Sequence, residues 1–167
     1  GEPFLRKDLA EIIDAYVRNC KIDFLQIPTN GFYTDRTFAL TEKTLANYPH
    51  LNQTIAVSLD GMAEVHDTIR HKEGLFDQAI KTLKALSTLK GKEKRLRIMV
   101  VSVLLPDNLS SCQELAYYIR ETVDPDLHWF EPVREVEMSK GFTFSKQAFS
   151  FMNENLKYYW NKNKGTS

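Results

Sequence analysis

At 167 residues the chain has the length of one domain, enough for a hydrophobic core but short of the roughly 250 residues of a complete α/β barrel. Lysine plus arginine and aspartate plus glutamate both number 22, so no global field exists to hold a polyanion and nonspecific nucleic-acid binding has no electrostatic support. No apolar run approaches the roughly 20 residues that cross a bilayer, and the opening GEPFLRKDL lacks the apolar segment of a signal peptide. A cytoplasmic protein with neither nucleic acid nor membrane as partner is expected.

The first pattern is helical. Leu5, Leu9, Ile12, Ile13, Tyr16 and Val17 recur on one face, with Arg6, Lys7, Asp8 and Glu11 on the other. Residues 22–27 (IDFLQI) then read as a strand stopped by Pro28-Thr29-Asn30-Gly31. Asp35 is placed to cap a second helix through Phe38, Leu45 and Tyr48, with Pro49 at its end. Residues 54–59 (TIAVSL) form the next strand and halt at Asp60-Gly61. Leu75, Ala79, Ile80, Leu83, Leu86 and Leu89 mark another helix, closed by Gly91. The basic cluster over residues 90–97 (KGKEKRLR) reads as a solvated turn.

Residues 96–105 (LRIMVVSVLL) are the most apolar strand, with the adjacent apolar residues of a strand buried on both faces. After Pro106-Asp107-Asn108 a helix carries Cys112, Leu115, Ala116 and Ile119. Residues 127–130 (LHWF) make a short strand ending at Glu131-Pro132-Val133-Arg134. Phe149, Met152, Leu156, Tyr159 and Trp160 give the last helix its apolar side, and an aromatic stripe at this spacing is expected in the core. The tail from about residue 161 (NKNKGTS) is expected to fray.

Strands separated by helices run parallel, with right-handed crossovers. The expected fold is therefore α/β, a parallel sheet of about four strands with helices outside. It is either an open doubly wound sheet or an arc of a barrel, within a single domain spanning residues 1–167. Cys20 and Cys112 lie far apart and form neither a metal-ligand spacing nor a disulfide framework, so no metal site is expected in this chain.

Parallel α/β folds bind ligands at the C-terminal ends of their strands. That is where this chain repeatedly puts polar residues and glycine: 28–31 (PTNG), 58–61 (SLDG), 106–108 (PDN) and 131–134 (EPVR), with Gly1-Glu2-Pro3 preceding a helix as such a loop would. Taken singly, Asn-Gly and Asp-Gly are ordinary turn chemistry. Glu2 alone also reads as a carboxylate at a helix N-terminus, and Arg70 as a surface ion-pair partner of Asp67. Repetition at successive strand ends argues for one shared mouth.

Here a resemblance becomes specific. Gly1-Glu2-Pro3-Phe4-Leu5-Arg6 resembles the latter part of the GGEP motif of radical S-adenosylmethionine enzymes. The match continues through Thr29-Asn30-Gly31, Ser58-Leu59-Asp60-Gly61, Val65-His66-Asp67 with Arg70, and Gly74-Leu75-Phe76. The likeness covers roughly the first half of the chain and is nearest to enzymes of the molybdenum-cofactor and peptide-maturase type.

The resemblance implies a partial (β/α) TIM-like barrel. Gly1, Glu2 and Pro3 would receive the methionine amino group through carbonyls and the acidic side chain. Ser58 and Arg70 would hold the cofactor's carboxylate and ribose, the planar guanidinium fork suiting a carboxylate. Thr29, Asn30 and Asp60 would be polar neighbours and His66 would orient its loop; Glu131 and Arg134, from their place at the last strand end, are expected either to face a substrate or equally to pair with charges on a neighbouring loop. The intact enzyme would cleave S-adenosylmethionine reductively with a [4Fe-4S] cluster, giving a 5′-deoxyadenosyl radical that abstracts a substrate hydrogen. Its partners would be a small-molecule or peptide substrate and a reductant protein.

The family's CxxxCxxC segment is not among these residues, and the chain opens inside the GGEP motif. The resemblance thus implies a truncated core that is inactive alone and has an exposed sheet edge inviting self-association. The rival expectation is a non-catalytic α/β module that binds a nucleotide or protein.

Overall fold

A computed structural model describes residues 1–133 and 145–164. It holds four strands and six α-helices: α1 Leu9–Cys20, β1 Phe24–Thr29, α2 Thr34–Asn47, β2 Asn52–Ser58, α3 Ala63–Arg70, α4 Leu75–Lys92, β3 Leu96–Leu104, α5 Leu109–Thr122, β4 Leu127–Pro132 and α6 Lys146–Lys164. The strands belong to one parallel sheet in the order β1-β2-β3-β4, the α/β arrangement expected. Among the described residues no helix is long and apolar enough to cross a membrane.

The chain divides into two compact units, one of Gly1–Ser58 with Asp77–Met99, the other of Leu59–Phe76 with the described residues from Val100 onward. In the first unit the opening residues do not enter α1. Pro3–Leu5 form a separate 3-10 turn, leaving Leu5 57% exposed, and α1 buries only Leu9, Ile13 and Val17 of the expected stripe. Strand β1 runs on through Pro28 and Thr29 rather than stopping before them. Among the described residues this terminal strand of the sheet order has only β2 beside it, and a proline without an N–H is tolerated at such an edge.

Asp35 does not cap α2. The N-cap is Tyr33, and Asp35 lies within the first turn, where its charge still favours the helix N-terminus. The buried face of α2 is a row of threonines, Thr34, Thr37, Thr41 and Thr44, beside Leu45. Arg95, expected in a solvated turn, reaches the end of this helix. Its guanidinium donates to the carbonyls of Leu45, Tyr48 and Leu51 at 2.8, 2.8 and 3.3 Å and pairs with Glu93 at 2.7 Å. Orphan C-terminal carbonyls and the negative end of the helix dipole both favour a cation there.

In the second unit α3 is a helix that periodicity alone did not separate from α4. Gly91, in turn, lies inside α4 instead of closing it. Strand β3 alternates between buried and partly open residues rather than being buried on both faces, with Ser102 and Leu104 inside and Val101 and Val103 half-open. Leu104, Cys112, Ala116 and Phe130 form a core cluster against which Leu109, Phe151 and Met152 pack.

The last helix bears out its reading only for Met152, which packs on the core cluster, and for Tyr159, which is buried. α6 buries Ala148, Asn155 and Tyr159, whereas Phe149, Leu156 and Trp160 are 51%, 42% and 64% exposed. The buried amide is what selects this face. Asn155 Nδ2 donates to the His128 carbonyl at 2.6 Å and its Oδ1 accepts from Arg120 at 2.6 Å. Anchored there, the helix keeps Tyr159 inside and turns Phe149, Leu156 and Trp160 outward. It continues to Lys164, into the tail expected to fray.

Candidate functional site

In the first unit the strand register brings the expected loops to one end. β1 and β2 pair in parallel with Thr29 opposite Val57, so Asn30 and Ser58 leave the sheet side by side. Glu2 ties the opening turn to the same place. Its Oε1 accepts from the Phe4 N–H at 3.1 Å and from Thr29 Oγ1 at 2.9 Å, and its Oε2 accepts from the Asn30 N–H at 2.7 Å. A carboxylate offers about four acceptor positions. Three are filled by the protein, and the open position is on Oε2.

The loop after β1 is then locked from below. Thr29 Oγ1 accepts from the Gly31 N–H at 3.0 Å and Asn30 Oδ1 from the Phe32 N–H at 2.9 Å. Gly31 has φ +76°, and a Cβ there would meet the Ala79 Cα at 2.8 Å, so no other residue fits without displacing backbone. Thr82 Oγ1 donates to the Gly31 carbonyl at 2.6 Å and therefore receives the Thr34 hydroxyl at 2.7 Å.

In the second unit Asp60 is the organising residue, 1% exposed. Its Oδ2 accepts from Arg70 Nε at 2.6 Å and its Oδ1 from the Val103 N–H at 2.8 Å. Its N–H donates to His66 Nδ1 at 3.0 Å, and its carbonyl accepts from Asn108 Nδ2 at 2.8 Å. Arg70 is 34% exposed on its side chain and meets Asp60 through its Nε.

Asp67, a candidate partner for Arg70, instead accepts from the N–H groups of Gly74 and Phe76 at 2.6 and 2.8 Å and fixes the start of α4. Gly61, φ +149°, leaves room where a Cβ would meet Ser111 Oγ at 2.8 Å, and that hydroxyl accepts from the Met62 N–H at 2.7 Å.

His66 accepts through Nδ1, so its proton resides on Nε2, which is buried and has no partner among the described residues. Burial, foremost, and the nearby Arg70 guanidinium push its pKa down, against the pull of Asp60. A neutral ring that positions the Asp60 loop is the result, not a base. Burial, with the Asp60 charge adding to it, pushes the Cys112 thiol up to about 12, which keeps it protonated and inert. Among the described residues no cluster of His, Cys, Asp and Glu could hold a metal ion.

Of the candidates chosen from sequence, Gly1, Glu2, Pro3, Thr29, Asn30 and Ser58 thus lie in the first unit and Asp60, Arg70 and Glu131 in the second. Glu131 shares the half-open face of β4 with Trp129. Arg134 lies outside the described residues. Asn108 was missed. It is 2% exposed and donates to the Asp60 and Val103 carbonyls while accepting from the Leu105 N–H. The only signal for it was its place in the Pro106-Asp107-Asn108 strand end, which reads equally as a plain turn.

No protein-family model matches the chain. Over 84 residues, half of this chain, it is 39% identical to the Fe-coproporphyrin III synthase of Methanosarcina barkeri, and it spans 19% of that protein. The fold matches that of Streptococcus suis SuiB in its complex with S-adenosylmethionine. The TM-score is 0.67 and the identity 18%, over 98% of this chain and 36% of SuiB. SuiB has a TIM-barrel-like fold, so the arc of a barrel, not the open doubly wound sheet, is the architecture.

Proposed function

We infer that this chain, part of the core of a radical S-adenosylmethionine enzyme, supplies the wall that receives that cofactor's methionyl and ribosyl groups. The observation that carries this reading is the junction at Glu2, which fastens Gly1-Glu2-Pro3 to the Thr29-Asn30 end of β1 while the parallel register sets Ser58 next to it. Three polar segments converge at one strand end, where α/β folds bind ligands.

Each unit, taken by itself, offers groups that suit part of the cofactor. An ammonium ion needs acceptors, and the opening turn offers the free position on Glu2 Oε2 together with main-chain carbonyls. A carboxylate or ribose needs donors, and Arg70, steadied through Nε by Asp60, offers its terminal nitrogens. Asp60, His66 and Asn108 act on the cofactor through the loop they hold and are positioning residues. Thr29 and Asn30 divide the work, holding Glu2 and the Gly31 turn while presenting polar backbone. Bound beside a [4Fe-4S] cluster reduced by an external electron donor, S-adenosylmethionine would be cleaved with one electron from that cluster and would supply the group that abstracts a substrate hydrogen. The residues that would ligate the cluster are not among the 167 here.

In the intact enzyme Glu131, beside Trp129, faces the substrate, with Arg134 as its proposed companion; the substrate is a small molecule or peptide and the electron donor a reductant protein. We assign the protein to the cytoplasm. The test is reconstitution of the intact polypeptide with iron and sulfide, followed by measurement of S-adenosylmethionine affinity and 5′-deoxyadenosine formation. Arg70→Lys is expected to weaken cofactor binding by roughly tenfold or more, since an ammonium cannot reproduce the planar fork. Unchanged affinity in Arg70→Lys and Arg70→Ala would remove this residue from the site. Formation of 5′-deoxyadenosine by the 167-residue chain alone would contradict the reading as a whole.

A further inference from the structure

In a parallel ladder a residue donates to one carbonyl of the neighbouring strand and accepts from that strand's N–H two residues further on, so the bonds advance in even steps. β2 ends at Ser58, yet the next residue still takes half a step, its N–H donating to the Val101 carbonyl at 2.9 Å. The other half of that step is the Val103 N–H, which the Leu59 carbonyl would accept. Asp60 has taken it instead, with Oδ1 at 2.8 Å from the Val103 nitrogen. A carboxylate oxygen thus stands where the ladder calls for a carbonyl, and the strand ends there.

The exchange displaces the carbonyl of Leu59, a fully buried residue, and a buried carbonyl needs a donor. Ser102, fully buried on β3, supplies one by donating its hydroxyl to the Leu59 carbonyl. A serine hydroxyl has a single hydrogen, so Ser102 Oγ then accepts from His128 Nε2 at 2.8 Å on β4. His128 is itself buried, and its carbonyl accepts from Asn155 Nδ2 at 2.6 Å. The ring is held from α6 and in turn aims the hydroxyl at Leu59. All of these groups belong to the second unit.

We propose that Ser102, backed by His128, is a positioning residue of the cofactor site: it takes over the carbonyl that Asp60 displaces and so keeps the Asp60 carboxylate on Val103, where it steadies Arg70. The inference rests on the reading of Arg70 as a residue that grips S-adenosylmethionine. Without the hydroxyl, the Leu59 carbonyl and Asp60 Oδ1 compete for one N–H. Each time the carbonyl wins, the ladder closes by one step and Asp60 loses one of its two anchors. Arg70, which meets Asp60 through Nε at 2.6 Å, then loses its fixed partner. Ser102 and Asp60 are therefore a matched pair, and the serine is needed only while a side-chain oxygen occupies the Val103 N–H.

The test uses the intact, reconstituted enzyme, with the S-adenosylmethionine dissociation constant from equilibrium dialysis and the urea midpoint from circular dichroism. Ser102→Ala is expected to weaken binding roughly fivefold, the worth of about one hydrogen bond, and to lower the midpoint. Ser102→Thr, which restores a hydroxyl, returns both toward the parent; if its added methyl unfolds the protein, Ser102→Cys, a weaker donor, takes its place with an intermediate value. Dependence on the residue at position 60 separates this role from packing. Asp60→Ala frees the Val103 N–H for the Leu59 carbonyl, so adding Ser102→Ala there changes affinity by less than roughly twofold and leaves the midpoint in place. Asp60→Asn keeps an oxygen on that N–H, so Ser102→Ala retains its full effect in that background. Equal effects of Ser102→Ala in all three backgrounds would overturn the proposal, as would parental affinity in the single variant. The two failures are distinguishable: absence of S-adenosylmethionine binding by the parent enzyme sinks the cofactor reading and with it the link to affinity, whereas midpoints indifferent to position 60 sink the account of Ser102.

Discussion

Asp60 and Arg70 form an ion pair whose two members have unequal escape routes, and that inequality sets the sign of a double-mutant cycle. Asp60 is 1% exposed and Arg70 about a third exposed on its side chain. Replacing Arg70 by Ala strands a buried carboxylate that retains only the Val103 N–H at 2.8 Å. Breaking a buried pair this way costs about 3–5 kcal/mol, and the surviving hydrogen bond places the expectation near the lower bound, about 3 kcal/mol.

Replacing Asp60 by Asn keeps an oxygen for the Val103 N–H and releases Arg70, which can turn to water. The loss is then one hydrogen bond between charged groups, about 1.5–2 kcal/mol. Urea unfolding followed by circular dichroism reads the difference. With a slope of about 2 kcal/mol/M, Arg70→Ala lowers the midpoint by about 1.5 M and Asp60→Asn by about 0.8–1 M. The double variant falls short of the sum, because the second change has no pair left to break. A larger loss in Asp60→Asn than in Arg70→Ala, or strict additivity, would refute the account of Asp60 as the buried anchor and Arg70 as its semi-exposed partner.

Glu2→Ala removes an acceptor shared by three donors, and since this region is only part-buried the expected loss is about 2–3 kcal/mol. Glu2→Gln recovers about half of that, and a urea midpoint for either variant within error of the parent would show that the junction does not hold the opening turn. Gly31→Ala is expected to cost more than 2 kcal/mol, positive φ compounded by overlap with Ala79, whereas Gly74→Ala, with φ +73° but nothing within 4 Å, costs only ~1 kcal/mol; equal thermal midpoints for the two would remove the close approach at Gly31. Burial, aided by the Arg120 charge, pushes His128 down to about 3, so the folded state refuses a proton that the unfolded chain accepts near pH 6.5. Stability from this group is therefore complete above about pH 6.5 and declines as pH falls toward 3, by ~2 kcal/mol at pH 5. Because Ser102 Oγ donates to the Leu59 carbonyl, His128 donates Nε2–H to it at 2.8 Å. His128→Gln can mimic that donor without titrating, and urea midpoints at pH 5 and pH 8 should differ less in it than in the parent.

Motifs were legible in the sequence where they encode backbone. Gly31 and Gly61 sit at strand ends with the positive φ and the close neighbours that turn chemistry anticipates, and parallel strands followed from their separation by helices. Side-chain bookkeeping was less legible. Arg95 was hidden in a basic run because the acceptors it serves, Leu45, Tyr48 and Leu51, are about fifty residues away in sequence. α6 misled for a related reason. Hydrophobic spacing proposed Phe149, Met152, Leu156, Tyr159 and Trp160 as the inner face, and of these Met152 and Tyr159 do pack inward, but Asn155, bonded to Arg120 and His128, cannot be released from that network without leaving buried polar groups unpaired, and it shifts the buried face away from the other three.

The same bookkeeping bears on how the proposed cofactor wall is made. A side chain that grips a ligand and one that shapes the loop around it have the same sequence signature, a polar residue at a strand end, and only the bonds separate them. Asp60 spends both carboxylate oxygens, its N–H and its carbonyl within the protein, and Glu2 spends three of about four acceptor positions. What such anchors leave outward is main chain, the residual acceptor on Glu2, and the terminal nitrogens of an arginine whose Nε is already fixed. On the reading proposed above, a zwitterion is held largely by backbone whose shape these acids impose, so Glu2→Gln should act first on stability and Arg70→Lys, which keeps a cation beside Asp60, first on affinity. Glu2→Gln and Arg70→Lys, compared in the intact enzyme for unfolding midpoint and for S-adenosylmethionine dissociation constant, are expected to separate along those two axes. Coincident losses in both variants would mean that shaping and gripping are not divided in this way.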